Sequence, residues 1–433
     1  MNDYLICGGQ LITSSGTVPN KGLLIRRGKI AVPGAPNPDS IYGGLCCTVR
    51  PKPAGPHSLK SEAAKICCSK EDCSRDCIEI DGKGLLISPG FIDLHVHGGA
   101  GCDTLDGTAD SVKKIAAYHA GGGTTSFLAT LAPSTGAKSK KALSTVSAFA
   151  MRITEGAQLI GAHMEGPHLN PARAGAINPA YLREVSIKEM NDFINLGEGF
   201  LRMVTLAPEL PGSTRLIKLL SREGIVVAAG HTEATYEISM SSFKAGVRHA
   251  IHLFNASSPL HHREPGLVGA VLASKDITAE IIADDSHLHP SVLKLLYSVK
   301  GNRGLTLATD AVSAAGMPDG EYVFNDRKIA MKNGKITLAE GPVAGSSLTM
   351  IDTVRNMVKK AGIPIHEAVR MASLNPARLL GKENTKGALA PGMDADLVLL
   401  DRELNVKLTM VNGHIVFNNL EVKGKGQKEF ILT

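Results

Sequence analysis

No uninterrupted apolar stretch in this chain of 433 residues approaches the roughly 20 that a membrane-spanning helix needs, so a soluble protein with no membrane partner is expected. No basic block stands out either. The 47 lysines and arginines outnumber the 41 aspartates and glutamates by a net charge of +6, spread along the chain, and nothing argues for nucleic acid. The opening residues, MNDYLICGG, carry Asp3 and lack an apolar core of secretory length, which points to no signal peptide and a cytoplasmic location. No G-x-G-x-x-G loop follows the early apolar segments, so an open dinucleotide-type sheet is disfavoured. No C-x-x-C pair occurs, although there are eight cysteines, six of them between Cys46 and Cys77. A zinc site there would have to use neighbours such as Cys73 and Cys77. Adjacent pairs such as Cys46 with Cys47 cannot easily fill two corners of one tetrahedron.

What is present describes a globular chain, 43% hydrophobic and 20% charged, long enough for two or three domains or one large barrel with additions. Residues 4–12 and 22–32 alternate short aliphatic runs with turn residues, and ADLVLL (395–400) and VKLTMVNGHIV (406–416), the latter with an Asn-Gly turn, do the same near the other end. The two ends are expected to pair into one small β domain, residues 1–87 with 386–433. A Cys/Pro-rich insertion over about 33–77 interrupts it.

Between them lies an α/β rhythm. Apolar segments at 86–95, 124–131, 159–164, 202–206, 225–229, 250–253, 278–283 and 305–309 alternate with amphipathic stretches. About eight such segments in roughly 300 residues predict a (β/α)8 TIM-type barrel over 88–385, with a β-sandwich built from both chain termini beside it. Active sites of such barrels sit at the C-terminal ends of the strands. Several of these segments end at a His, Glu or Asp.

The most specific local signal is PGFIDLHVHG (89–98). His95 and His97 are one residue apart, so on a strand both imidazoles share a face and can hold one metal. Glu165, His231, His252 and Asp310 then close later apolar segments. Any one of them alone reads equally well as a strand-end cap. In series they give a donor set suited to zinc, iron or manganese.

These stretches resemble the amidohydrolase superfamily and, within it, the N-acetylglucosamine-6-phosphate deacetylase family. The matching motifs are PGFIDLHVHGGAGCDT, HMEGPHLNPARAGA, TLAPE, GHTEATY, HLFNA with HHREPGLVGA, IADDSHLHP, LATDAVSAAG and VAGSSLTM, then SLNPARLLG and KGALAPGMDADLVLLD, which leaves only about 33–77 unmatched. The resemblance implies that Glu165, His231 and His252 bind the main metal and that His95 and His97 complete a second site. One or two divalent ions, zinc or iron, would serve each subunit. It implies that Asp310 is the general base and acid for attack of metal-activated water on an acetamide.

The resemblance further implies a sugar-phosphate substrate contacted by Asn255, Ala256, Arg263 and His287 and by the backbone at Ala176, Val343, Ala344 and Gly345. Arg263 would reach across a homodimer interface to the phosphate, where its planar fork suits a phosphate group. Three positions depart from the family pattern as aligned: Ile177 replaces a polar residue beside Asn178, His168 an aromatic, and Ser257 a methionine. Two alternatives are a dihydroorotase- or hydantoinase-like hydrolase, many of which carry a modified lysine at the position of Glu165, and a noncatalytic scaffold, which would be expected to have lost ligands.

Overall fold

The computed structural model describes residues 2–20, 22–31, 77–152 and 155–420. Eight parallel strands follow one another in chain order: Phe91–Val96, Thr124–Leu131, Gln158–Glu165, Leu201–Leu206, Val226–Ala229, Val247–Ala250, Thr278–Ile281 and Leu305–Leu307. They are called the first to eighth barrel strands. The ring closes where Val96 bridges to Ala311, with the His97 N–H donating to the Ala311 carbonyl at 2.9 Å. Every residue of the first three strands is buried, because helices cover them outside and side chains fill them inside. That double burial explains why they read as continuous apolar runs.

Ile92, Leu94, Leu128, Ile160, Met203, Ala228 and Ile251 form one apolar cluster with Ala377. Residues from six consecutive strand segments can meet only in the lumen, so the barrel is packed rather than hollow. Ala377 belongs to the helix Leu374–Leu379, whose Asn375 amide donates to the carbonyls of Asn302 and Leu305 at the start of the eighth strand. The helix therefore plugs the N-terminal end and leaves the opposite end free for a site. Several covering helices begin at side-chain caps, as at Thr108 before Ala109–Gly121 and Thr235 before Tyr236–Ala245.

Residues near both ends of the chain build two further sheets around a separate core that includes Ile6, Ile25, Ile87, Leu399 and Met410. One has four strands, Lys29–Ala31, Leu23–Arg26, Tyr4–Cys7 and Ile78–Asp81. The other has six, with Leu86–Pro89 between Leu397–Leu400 and Gln10–Thr13. The expected hairpin is present, Asn412 and Gly413 both taking positive φ between Val406–Val411 and His414–Asn418. The Cys/Pro-rich segment lies outside the described residues apart from Cys77.

Three sequence expectations change. The stretch 86–95 is two strands in different sheets, parted at Gly90, where a Cβ would lie 2.2 Å from Thr125 Oγ1. The sixth strand is Val247–Ala250 rather than 250–253, because polar Arg248 and His249 mask its start. An antiparallel sheet of Gly320–Phe324, Arg327–Lys332 and Lys335–Leu338 follows the eighth strand and was not foreseen. Its short strands alternate buried and exposed residues, a pattern that carries little apolar signal.

Candidate metal centre

Glu165 is the last residue of the third strand, and His95 lies in the first with His97 just beyond it. His231, His252 and Asp310 follow the fifth, sixth and eighth strands within three residues. All three have positive φ, 47°, 27° and 50°, a left-handed backbone unusual for side chains of this size. Such strain persists where surrounding bonds over-determine it and clusters at functional sites.

Two groups of potential ligand atoms result, Glu165 with His231 and His252, and His95 with His97 and Asp310. Glu165 Oε1 lies 3.1 Å from His231 Nε2 and 3.3 Å from His252 Nε2, and those two nitrogens are 3.1 Å apart. Glu165 Oε2 lies 3.2 Å from His97 Nε2, so the carboxylate spans both groups. Asp310 Oδ1 is 3.4 Å from Nε2 of both His95 and His97.

The protons on these rings show what fits. His231 Nδ1 is 2.8 Å from the Arg173 carbonyl, and His252 Nδ1 is 3.1 Å from that of Asn255. A carbonyl only accepts, so each Nδ1 carries the hydrogen and each Nε2 presents a lone pair. Two lone pairs and a carboxylate oxygen thus converge with no proton to share, and a cation suits that arrangement. Charge tells the same story. Burial pulls the His95 pKa down, but Glu280, Asp310 and Glu165 outweigh it and raise it well above the ordinary value. Burial alone would raise the Glu165 carboxyl, yet the positive charge favoured at His95, with the imidazoles of His231 and His252 close by, holds it well below the usual range.

The expected substrate contacts other than Arg263 lie close to residues of this centre. Asn255 follows His252 and supplies its carbonyl partner. A Cβ on Gly175 would lie 3.6 Å from both Ala256 Cβ and His231 Cε1, which sets the loop bearing Ala176 against the histidines. Gly345 and Ser346 run beside Asp310, the Ser346 N–H donating to the Asp310 carbonyl at 2.8 Å, and Ala344 and Val343 continue that strand-like segment toward the antiparallel sheet. His287 Nε2 stands 3.8 Å from Asp310 Oδ2, its Nδ1 2.7 Å from Asp284. Arg263 is exposed and, among the described residues, its side chain forms no ion pair, with Glu264 or any other acid.

At the departures, Ile177 is buried and Asn178 Oδ1 accepts the Ala180 N–H, so that side chain is already committed to a local turn. His168 is also buried, with Nδ1 3.4 Å from the Arg183 carbonyl, and so is Ser257. Sequence reasoning missed Asp93, which accepts the Thr309 hydroxyl at 2.6 Å and staples the first strand to the segment just after the eighth. It also missed Asp284, Glu280, His163 and His249. A lone polar residue inside an apolar run such as TAEI was the available signal.

The sequence profile of the amidohydrolase family matches residues 86–416. The chain belongs to the amidohydrolase family. This amidohydrolase is 39% identical over 330 residues to the N-acetylgalactosamine-6-phosphate deacetylase of Escherichia coli O157:H7, covering 76% of the chain and 87% of that relative. It is 37% identical to the N-acetylglucosamine-6-phosphate deacetylase of Vibrio furnissii, over 77% of the chain and 83% of the relative. A mutant N-acetyl-D-glucosamine-6-phosphate deacetylase from Mycobacterium smegmatis, solved in complex with N-acetyl-D-glucosamine-6-phosphate, superposes with a TM-score of 0.81 at 30% identity, covering 96% of this chain and 100% of that one. Among the described residues no helix is long and apolar enough to cross a membrane.

Proposed function

We propose that this amidohydrolase removes the acetyl group of N-acetyl-D-glucosamine 6-phosphate, giving D-glucosamine 6-phosphate and acetate. The observation that carries the reading is the complete set of six converging side chains, Glu165, His231, His252, His95, His97 and Asp310, in a chain whose relatives are named for this chemistry. N-acetyl-D-galactosamine 6-phosphate is the second reading, favoured by the name of the Escherichia coli relative.

Glu165, His231 and His252 would hold one divalent ion, zinc or iron, and His95 and His97, with Glu165 or Asp310, a second. A bound ion of this kind acidifies water and polarises an amide carbonyl. Asp310 takes the proton from the attacking water as the C–O bond forms. It returns that proton to the amide nitrogen as the C–N bond breaks, so one carboxylate acts first as base and then as acid. His287, held by Asp284, contacts the substrate beside Asp310. Asn255, Ala256 and the backbone at Ala176 and Val343–Gly345 line the sugar. Arg263 grips the phosphate from the partner subunit of a cytoplasmic homodimer.

The test is acetate release from N-acetylglucosamine 6-phosphate by the metal-replete protein, beside the unphosphorylated sugar, the galactosamine epimer and the Asp310→Asn variant. Turnover of a phosphorylated sugar that disappears in the variant is the expected result. A folded, metal-replete protein that releases no acetate from either phosphate overturns the reading.

A further inference from the structure

We propose that Glu280 is a positioning residue that fixes His95 and couples the two halves of the centre, an inference that rests on the metal-dependent reading above. Glu280 sits in the seventh barrel strand, Thr278–Ile281, and is 0% exposed. A buried carboxylate is costly unless its bonds repay desolvation, and an apolar side chain would serve packing alone better. Its bonds are specific. Oε1 lies 2.8 Å from His95 Nδ1, and the same oxygen accepts the backbone N–H of His252 at 3.1 Å. The Glu280 carbonyl accepts the N–H of Leu253 at 2.9 Å, and Oε2 faces His249 Nε2 at 3.6 Å.

Two consequences follow. The bond at Nδ1 aims Nε2 of His95 toward Glu165, His97 and Asp310, 3.6, 3.2 and 3.4 Å away. His163 packs edge-on against that ring at 4.9 Å and limits its rotation. The bond to the His252 backbone, meanwhile, holds the left-handed turn that carries a ligand of the other group. Among the four histidines of the two ligand groups, the three with a partner at Nδ1 are not equivalent. His231 and His252 rest on neutral carbonyls, and His95 alone rests on a carboxylate, which makes it the more strongly donating ligand.

The experiment titrates metal-free wild-type, Glu280→Gln and Glu280→Leu proteins with zinc against a competing chelator, and follows kcat and KM as zinc is raised. The wild type is expected to take up two ions. The Gln variant should hold one as the wild type does, bind the other about 10- to 100-fold more weakly, and recover kcat at high zinc with KM little changed. A merely structural lesion would not be rescued by zinc. If both variants fail to fold, nitrogen-15 spectra of histidine-labelled, zinc-loaded wild type, with His95 assigned through His95→Gln, give the answer. A proton on His95 Nδ1 is expected, and its absence overturns the proposal. Two ions bound with wild-type affinity by Glu280→Gln also overturn it. A wild type that binds zinc and releases acetate while the variants bind zinc unchanged rejects Glu280 alone, whereas a wild type that binds no zinc rejects the metal reading with it.

Discussion

His119 Nε2 lies 3.0 Å from the carbonyl oxygen of Gly98, and this bond ties the helix Ala109–Gly121 to the turn that follows His97. The ring is fully buried, and burial pushes its pKa down to about 4 against a modest opposing effect of the Gly98 bond. Between pH 6.5 and about 4 the unfolded chain therefore binds a proton at this residue that the folded protein refuses. Stability should fall as pH drops through that window, by up to about 1.4 kcal/mol per pH unit and on the order of 3 kcal/mol in all. Denaturant midpoints measured from pH 7 to 4 should decline less steeply in His119→Gln than in wild type. Equal slopes would assign the acid sensitivity to other groups.

Metal removal should act through Glu165, since its two oxygens reach both groups of ligands. Dialysis against a strong chelator is expected to abolish amide hydrolysis and lower the melting temperature, with both restored by zinc or iron. Glu165→Gln should fail to recover with added metal. His97→Ala should instead lower the bound metal toward one ion per chain, read by elemental analysis, because the group at His231 and His252 stays complete.

Asp310→Asn isolates proton transfer from ground-state binding. The side chain has Oδ1 on the histidine pair and Oδ2 toward His287, so an amide of the same shape keeps the packing and loses the base. A fall in kcat of about 10²- to 10⁴-fold, with KM for the sugar phosphate nearly unchanged, is expected from steady-state kinetics. A large rise in KM with little change in kcat would instead make Asp310 a binding group.

Asn325 joins the antiparallel sheet to the loop that carries Ala176. Its Oδ1 accepts the Asn178 N–H at 2.7 Å and its amide donates to the Pro133 carbonyl at 2.7 Å, from a left-handed backbone that asparagine tolerates. Asn325→Ala would leave two backbone groups without their partner, a loss of about 1–3 kcal/mol for each buried one. Thermal denaturation should register that loss, and KM should rise more than kcat falls because the loop borders the site without touching Asp310. Unchanged KM would mean that the loop keeps its position unaided.

The contrast between Asn325 and His95 marks how far the sequence could be read. Strand-end donors such as His95, Glu165 and Asp310 were legible because a parallel barrel makes each strand a nearly continuous apolar run, so a polar residue at its end stands out. Glu280 and His163 lie inside such runs, where a polar residue breaks the pattern instead of closing it, and only their partners on other strands explain them. The sheet from 320 to 338 escaped for the opposite reason. With one face toward solvent it alternates, and its turns at Asn325 and Asn333 look like any surface loop. The positive φ at His231 and His252, which aims both rings, has no sequence signature at all.

Arg263 allows the dimer and the phosphate contact to be tested together. Its side chain is exposed, and among the described residues it has no ion-pair partner. Arg263→Ala should raise KM for the phosphorylated sugar at least about tenfold, as loss of a bidentate phosphate contact would, and leave the unphosphorylated sugar unaffected. Mixing then distinguishes a contact within one chain from a contact across two. If the arginine serves the partner's site, a heterodimer of Arg263→Ala with Asp310→Asn has one site with both groups intact. Random exchange of equal amounts should restore about a quarter of wild-type activity at low substrate. If the arginine serves its own chain, each site of the heterodimer lacks one group and mixing restores nothing. Recovery that follows subunit exchange, checked by size-exclusion chromatography of differently tagged chains, would support the crossed arrangement, and its absence in a mixture shown to have exchanged would reject it.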